Sequence, residues 1–438
     1  MSAHLQLTDE HIMIRDAAAD FLASRCDSIA LRKTVDAAFA GQGDGVDAAL
    51  WQAFGQELGY CGLSLPEEVG GLNLGMTALT LVMEQLGKRL APMPFFQSSV
   101  LAAGVLQYAC ESAGAQSYLE ALASGEQTAS LLMDANAGSS DAIFGAVSAK
   151  ADGAHYLLSG QIAQVFASAS SDFFLVSARL SEAQEPAIFV LPQGTAGLSL
   201  KPIATWDCTR PLMQVQLASV KATAAQRLGK GDKALFGIFE ALSRANLALA
   251  AEALGGAQQV LDLTLAYCAE RVQFGRTIAS YQAIKHRAAQ MMVKIEALRS
   301  GIAGAAAAWD SALTDAARRA AALDSAAARL LAEDAYFYCA ADSIQLHGGV
   351  GFTWEYDPQL YYKRAQAMHT WLGGADACTA AIVRQMREAG VAADAADEHP
   401  LRKEVSTWMA ANLTGKFAPL KERGGPGDDE AYPELRKE

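Results

Sequence analysis

The spacing of apolar residues predicts helices in the first region of the chain. Between residue 5 and about residue 118, apolar side chains recur every three or four positions, which places them on one face of an α-helix. The clearest segments are 50–59, 77–90 and 95–109. The stretch CGLSLPEEVGGLNLG (61–75) holds one proline and four glycines and predicts a loop. We expect an all-α domain over residues 1–118.

The pattern changes to short runs of β-forming residues between about 126 and 222. Gly, Ser, Pro and Asp separate these runs, as expected for strands joined by turns. The clearest runs are HYLLSGQ (155–161), DFFLVSARL (172–180), PAIFVLPQ (186–193) and LMQVQLASV (212–220). We expect a small antiparallel β domain over residues 119–225.

Helical spacing returns in the third region, residues 226–388, with long alanine-rich stretches. Long helices joined by short loops favour an antiparallel four-helix bundle. The predicted helices are 232–271, 280–312, 316–346 and 374–388. The alanine-rich run at 304–308 is interpreted as a close helix–helix contact. The predicted fold class is therefore α+β: helical domain, β domain and bundle, in that order.

The last segment, residues 389–438, has two interpretations. It begins with a small-residue, acidic linker, AGVAADAADEHP. The following DEHPLRKEVSTWMAA (397–411) is similar to DEHIMIRDAAADFLA (9–23), and DDEAYPELRKE (428–438) is loosely similar to DAALWQAFGQELG (47–59). The segment is either a charged C-terminal helix or the start of a second, truncated copy of the N-terminal domain.

Composition narrows the classes of partner. The 438 residues are 51% hydrophobic and 19% charged, which is typical of a packed globular protein. Lys plus Arg number 35 against 48 Asp plus Glu, a net charge of −13. Such a surface argues against nucleic acid or an anionic membrane as the partner. An anionic ligand would have to be met by local basic groups or backbone N–H donors.

Cysteine usage and the N-terminal residues predict a cytoplasmic protein. The seven cysteines are dispersed, without a C-x-x-C pair, and are interpreted as reduced and mostly buried thiols. The first residues, MSAHLQLTDEHIMIRD, lack the basic and apolar segments of a signal peptide. No run of 18 apolar residues is free of charge, so we expect no membrane span.

The stretch QLHGGVGFTWEYD (345–357) is compatible with a phosphate cradle, a metal site or a helix stop. Gly348 and Gly349 match a C-cap pair at the end of an apolar-periodic run. His347 and Glu355 have no second His or Cys at ligand spacing nearby, so we predict no metal site. The helix stop is the favoured interpretation, and it does not exclude a role in binding.

Five motifs, in this order and spacing, resemble the acyl-CoA dehydrogenase family over residues 5–388. They are PEEVGG (66–71), YLLSG with LVSAR (156–160, 175–179), TWDCTRP (205–211), ERVQFGRTIASYQAIKH (270–286) and QLHGGVGFTWEYD (345–357). The resemblance implies FAD bound at a subunit interface, taking a hydride from Cβ of an acyl-CoA thioester. A glutamate in a dry pocket removes the α-proton. An electron-transfer flavoprotein is the family's usual electron acceptor.

The resemblance also assigns residues that would hold the diphosphate end of a neighbouring subunit's flavin. These are Arg271, Gln273, Phe274, Gln345, Gly348 and Gly349. A planar guanidinium fits paired phosphate oxygens, and a glycine turn lets backbone N–H groups approach a phosphate closely. The helix stop and the cradle are compatible.

Both positions at which the family carries its base hold residues that accept no proton. The usual loop position matches Gly373, and the alternative position on the first bundle helix matches Ala245, followed by Asn246. Glu252 is a weak substitute, because it lies two turns further on, about 10 Å along the helix axis. We interpret it instead as a buried, paired carboxylate of the bundle.

The chain's own flavin-ring contacts also depart from the family pattern. The segment MDANAGSSD (133–141) keeps Gly138, Ser139 and Asp141 of the family strand. Gln164 and Phe166 replace the tryptophan and threonine that face the flavin ring, while Ala375 and Ala377 replace a threonine and a glutamine. We interpret His369 and Trp371, near the lost base, as space-filling. Asp207 and Arg210 are interpreted as pinning a turn to the bundle.

These departures predict a partner half: a chain that completes a homologous half's flavin site in a dimer or tetramer, while its own pocket stays empty. The family includes paired and fused enzymes of this kind, several acting on bulky CoA thioesters such as sterol side chains. Three alternatives remain open: a self-sufficient dehydrogenase using a base such as Glu252, a flavin monooxygenase or oxidase, and a scaffold without flavin. The acyl group is not predicted.

Overall fold

The computed structural model describes residues 7–210 and 212–388, with Glu404, Thr407, Trp408 and Ala411 beyond them. The chain divides into two compact units, residues 1–382 and 383–438. Within the second unit, the described residues are the end of the last bundle helix and the four helical positions just named. The predicted linker and repeated N-terminal segment otherwise lie outside the described residues. The domain boundaries at 118, 225 and 388 stay predictions.

The N-terminal region is helical, as predicted. Its first three helices are capped at their N-termini by Thr8, Asp27 and Asp47. The side-chain oxygen of each cap accepts a backbone N–H of the first turn. A π-helical segment, Phe95–Ala102, continues directly into the fifth helix. The helices are α1 (Asp9–Arg25), α2 (Ser28–Phe39), α3 (Ala48–Leu58), α4 (Gly75–Arg89), α5 (Ala103–Ala109) and α6 (Ser112–Ala123).

The middle region forms, within the described residues, an eight-stranded sheet and one short helix, α7 (Ser140–Phe144). The strand order is β6-β7-β3-β2-β4-β5-β8, with β1 beside β4. The strands are β1 (Ala129–Leu132), β2 (Val147–Asp152), β3 (His155–Val165), β4 (Phe173–Leu180), β5 (Pro186–Pro192), β6 (Leu198–Pro202), β7 (Met213–Thr223) and β8 (Arg227–Lys230).

Most strand pairs are antiparallel, as predicted, but β4 runs parallel to both β1 and β2. Strand direction is not visible in the sequence, because side chains alternate with period two in either direction. Both faces of β4 are buried, with Leu175 in the core shared with the helices and Val176 in the sheet's second core. This explains the continuous apolar run there.

The C-terminal region contains the four predicted helices and one more. They are α8 (Gly231–Glu270), α9 (Gln282–Asp310), α10 (Asp315–His347), α11 (Pro358–Met368) and α12 (Gly374–Glu388), with a hairpin of β9 (Val272–Gln273) and β10 (Arg276–Thr277) after α8. Helices, sheet and helical bundle in this order confirm the predicted fold class. By length and composition alone, α8 among the described helices qualifies as a membrane span, but most of its apolar segment is buried inside the fold.

Glycines allow α4 and α8 to touch along their backbones. A β-carbon at position 87 would lie 2.0 Å from the carbonyl oxygen of Glu252, and one at position 255 would lie 1.8 Å from that of Glu84. A β-carbon on Gly256 would meet the hydroxyl of Tyr336 at 2.5 Å. No side chain separates the two helices at this crossing, so α8 is held at a fixed depth in the fold.

We expect Gly255→Ala to destabilise the protein by about 1–3 kcal/mol, because the new methyl group forces the two helices apart. Gly304→Ala is the matched control, since a β-carbon there meets no atom within 4 Å. Alanine in an open helical position stabilises by about 0.5–1 kcal/mol relative to glycine. Chemical denaturation of both variants measures the difference, and equal effects would contradict the tight crossing.

Candidate functional site

The turn that matches the family's base position is closed against the β domain. Leu372, Gly373 and Gly374 all have positive φ, at 54°, 83° and 54°. The N–H of Leu372 donates to the carbonyl oxygen of Ala135 at 2.7 Å. This bond and the burial of Leu372 hold a non-glycine residue in a conformation that costs of order 1 kcal/mol. Contact with the segment 133–141 therefore holds the turn in this conformation.

Small residues make that contact possible. A β-carbon on Gly373 would lie 2.4 Å from Cβ of Ala377 and 2.7 Å from Cα of Gly138. Position 138 is crowded in the same way, because a β-carbon on Gly138 would lie 2.6 Å from Cβ of Ala377. Two of the departures, Gly373 and Ala377, thus meet the retained Gly138 at one point. A glutamate at position 373 would have no room unless the turn moved away from Gly138.

Gln164 and Phe166 stand at the positions that contact the flavin ring in the family. Here both side chains contact other residues of this chain. The backbone carbonyl of Gln164 accepts the N–H of Ala135 at 2.7 Å, and its side-chain oxygen accepts from Asn136 at 3.2 Å. Phe166 is buried and packs edge-to-face against Phe96 and Trp371, with ring centroids 5.6 and 5.0 Å away. Aromatic side chains therefore fill the space beside this strand.

The environment of Trp371 and His369 agrees only in part with the space-filling interpretation. Trp371 is buried in the aromatic group just described. The His369 side chain is about one-third exposed, lies against the ring of Phe337, and is 3.4 Å from a carboxylate oxygen of Glu333. The second base position, Ala245, is fully buried on α8.

Glu252 lies in a buried network of charges below Trp371. One carboxylate oxygen accepts from Arg210 at 2.7 Å, and the other accepts from Arg364. Arg364 also donates to Asp207 at 2.7 Å and to Thr209 at 2.6 Å. The network joins α8, α11 and the turn before β7, which is the pinning role expected of Asp207 and Arg210.

The charge state of Glu252 is set by this network. Burial raises the pKa of its carboxyl, but the charges and hydrogen bonds of Arg210 and Arg364 outweigh burial and hold the pKa below its usual value. A general base in this family would need a raised pKa and free access to substrate. The geometry therefore supports the buried, paired carboxylate and gives Glu252 no route to an α-proton.

We expect Glu252→Gln to lower the free energy of unfolding at pH 7 by about 3–5 kcal/mol, because it removes the carboxylate that pairs with buried Arg210 and one of the two that pair with buried Arg364. A carboxyl with a depressed folded-state pKa stabilises above its unfolded pKa, and the stabilisation is lost as pH falls through the folded-state pKa. The difference between variant and wild type should therefore shrink in acid. Denaturant unfolding at pH 7 and at a series of pH values below about 4, the usual range of a glutamate pKa, measures both.

Glu57→Gln serves as the control for this charge removal. Glu57 pairs with Arg25 on the surface, with the Glu57 side chain 50% exposed. An exposed ion pair contributes less than about 1 kcal/mol. Equal losses for Glu252→Gln and Glu57→Gln would show that the buried network does not stabilise the fold.

The residues predicted to hold a neighbour's flavin lie at the other end of the bundle, where α8 and α10 finish. The ring of Tyr267 stacks on His347 with centroids 4.4 Å apart, which holds the two helix ends together. α10 ends at His347, and Gly348 follows with φ 67°, so the predicted helix stop is confirmed. The cradle residues are all exposed: Arg271, Gln273, Phe274, Gln345, Gly348 and Gly349.

This exposed end fits a diphosphate group. Within the described residues, no carboxylate forms an ion pair with Arg271. A β-carbon on Gly348 or Gly349 would meet no atom within 4 Å, so the backbone of the turn is open to a ligand. The chain's own ring site does not fit a flavin in the same way, because Phe166, Trp371 and the Gly138–Gly373 contact occupy it.

Known proteins are similar to this chain in sequence and in fold. Models of the acyl-CoA dehydrogenase N-terminal and C-terminal domains match residues 8–126 and 238–386. Acyl-CoA dehydrogenase IpdE2 of Mycobacterium tuberculosis is 31% identical over 82% of this chain and 91% of the relative. Acyl-CoA dehydrogenase FadE34 of the same organism is 29% identical over 81% of this chain but only 45% of the relative.

A solved structure, the ChsE4-ChsE5 complex from Mycobacterium tuberculosis, has a TM-score of 0.75 and 27% identity, covering 89% of this chain and 99% of that chain. The chain belongs to the acyl-CoA dehydrogenase family. The family's enzymes are FAD-dependent oxidoreductases acting on acyl-CoA thioesters.

Sequence reasoning missed two parts of the site. No role was assigned to Arg364 from the sequence, although it is the centre of the buried charge network. A lone arginine on the buried face of a helix was the available signal. The helix contact through Gly87 and Gly255 was also missed, because isolated glycines in a helical pattern are compatible with several roles.

Proposed function

We propose that this chain is the non-catalytic half of a paired acyl-CoA dehydrogenase, and that it completes the flavin site of a homologous catalytic half. The observation that carries the proposal is the contact between Gly373 and Gly138. A catalytic base must come within hydrogen-bond reach of the α-proton in a pocket that admits the acyl group. Here the turn that would carry the base is packed on the segment 133–141, which would belong to the chain's own flavin site.

The α4–α8 contact supports the same conclusion. α8 carries Ala245 and Glu252, the two other positions considered for a base. Direct backbone contact at Gly87 and Gly255 leaves no space for an acyl chain between these helices at that level. Since Glu252 is paired with two arginines, the alternative of a self-sufficient enzyme using Glu252 has no support in this geometry.

The exposed end of the bundle is the part of this chain that would bind the partner's flavin. Bound FAD would accept the hydride from Cβ of the acyl-CoA thioester in the catalytic half. In this chain, the Arg271 guanidinium would pair with phosphate oxygens, and the open turn at Gly348 and Gly349 would offer backbone N–H groups. The amides of Gln273 and Gln345 would add neutral hydrogen bonds. Each of these groups binds and orients; none transfers a proton to substrate.

The relatives are compatible with a paired enzyme. FadE34 is about twice as long as the part this chain matches, and the ChsE4-ChsE5 structure is a complex of two named chains. We therefore propose a homologous half as the partner, either as a separate subunit or fused after residue 388. An electron-transfer flavoprotein as acceptor and a cytoplasmic location belong to the same proposal.

The decisive measurement is FAD content per chain, read from visible absorbance. We expect the isolated 438-residue chain to hold well under one FAD and to show no bleaching with an acyl-CoA. Co-expression with a homologous chain that carries the glutamate base should yield a complex with bound FAD that bleaches. One FAD per isolated chain, reduced by an acyl-CoA, would show a self-sufficient enzyme.

Within such a pair, we expect Arg271→Ala to raise the Kd for FAD about 10- to 100-fold, since a charge-assisted hydrogen bond contributes about 1.5–3 kcal/mol. Arg319→Ala is the control, because Arg319 is also exposed but lies near the start of α10. It is about 40 Å along the helix from Gly348. Fluorescence titration of the apo-pair with FAD compares them; equal Kd values would place the phosphates elsewhere.

A further inference from the structure

Helix α2 of the N-terminal region is tied to the loop that follows the glycine turn. The Asp357 carboxylate accepts from Ser28 at 2.7 Å and from Arg32 at 2.6 Å. A second nitrogen of Arg32 donates to the backbone carbonyl of Trp354, and the guanidinium lies 5.5 Å from the Trp354 ring centroid. Arg32 therefore contacts the loop 348–357 through a charge, a backbone carbonyl and an aromatic ring.

The Asp357 side chain binds Arg32 in place of the bond that an N-cap aspartate ordinarily makes. Asp357 occupies the N-cap position of α11, where an aspartate side chain ordinarily accepts a backbone N–H of the first turn. Here the Asp357 side chain makes no such bond. Its carboxylate instead faces α2, with the Arg32 and Asp357 side chains only 16% and 23% exposed. A largely buried charged pair is less screened than a surface pair.

The loop is held at its other side by aromatic contacts. The ring of Tyr356 lies edge-on to Tyr267 and against His347, with centroids 6.3 and 6.2 Å away. Lys363 of α11 lies 5.2 Å from the ring of Trp354, so that ring has a cation from each of two helices. Between these attachments, Phe352 and Glu355 are exposed.

We propose that Arg32 is a positioning residue, which holds the loop 348–357 so that the open turn at Gly348 and Gly349 is pre-formed for a phosphate group of the partner's flavin. This rests on the proposed function. A loop with glycines at 348, 349 and 351 has many conformations available. Fixing its far end at Arg32 lowers the ordering cost that would otherwise oppose binding.

The first test needs no flavin. Amide hydrogen exchange of the isolated chain should be faster across 348–357 in Arg32→Ala than in wild type, with exchange in α8 unchanged. Arg25→Ala is the control, since Arg25 on α1 also pairs with a carboxylate, that of Glu57, and covers an aromatic ring, that of Phe21, but does not pair with the loop. Unchanged exchange across 348–357 in Arg32→Ala would overturn the proposal, whatever the outcome for FAD.

The second test uses the FAD-binding pair. Arg32→Ala should raise the Kd for FAD about tenfold, the change expected for one hydrogen bond of ordinary strength. Arg32→Lys keeps the charge but not the planar fork, so it should restore binding only in part. A loosened loop with unaltered FAD affinity would also overturn the proposal. If the wild-type pair binds no FAD, the proposed function is wrong. The exchange experiment then still tests whether Arg32 holds the loop 348–357.

Asp357→Asn provides a second variant in case Arg32→Ala folds poorly. It preserves the shape of the side chain and removes the charge that faces Arg32. We expect faster exchange across 348–357, with exchange in α8 unchanged. In the double variant the two changes should be less than additive, because both break the same contact. Full additivity would show that Arg32 and Asp357 act independently and would contradict the proposed link.

Discussion

The direct backbone contact between α4 and α8 is the constraint on which the interior of this protein depends. Gly87 and Gly255 let each helix approach the carbonyl oxygens of the other. Closely packed interiors do not deform continuously, so the depth of α8 decides where its side chains end. Glu252 is thereby directed at Arg210 and Arg364, and Ala245 is enclosed without exposed surface. A helix held in this way places its central residues in the protein core.

The buried charges and the closed turn form one continuous interior. A carboxylate removed from water needs partners, and Glu252 has two arginines. Arg210 in turn lies against the rings of Phe96 and Trp371, and Trp371 packs on Phe166. The turn at Gly373 then closes onto Gly138. These contacts fill the space beside the turn with protein side chains.

The residues proposed to bind the partner's flavin lie at the opposite end of the bundle, on the surface. Stacking of Tyr267 on His347 joins the two helix ends, and exposed donors surround an open glycine turn. The chain is strongly acidic overall, with a net charge of −13, so an anionic ligand depends on this local arrangement. Arg32 connects the loop behind the turn to the N-terminal helices.

The sequence by itself determined the order of helical, β and helical regions, because the period of apolar residues differs between helix and strand. It also determined that neither Gly373 nor Ala245, at which the resemblance places the family's base, can accept a proton, since neither has a titratable side chain. Only the tertiary structure decided the parallel pairing of β4, the role of Arg364 and the meeting of Gly138, Gly373 and Ala377. These depend on contacts between residues far apart in the chain. Local periodicity carries no information on which distant residues meet.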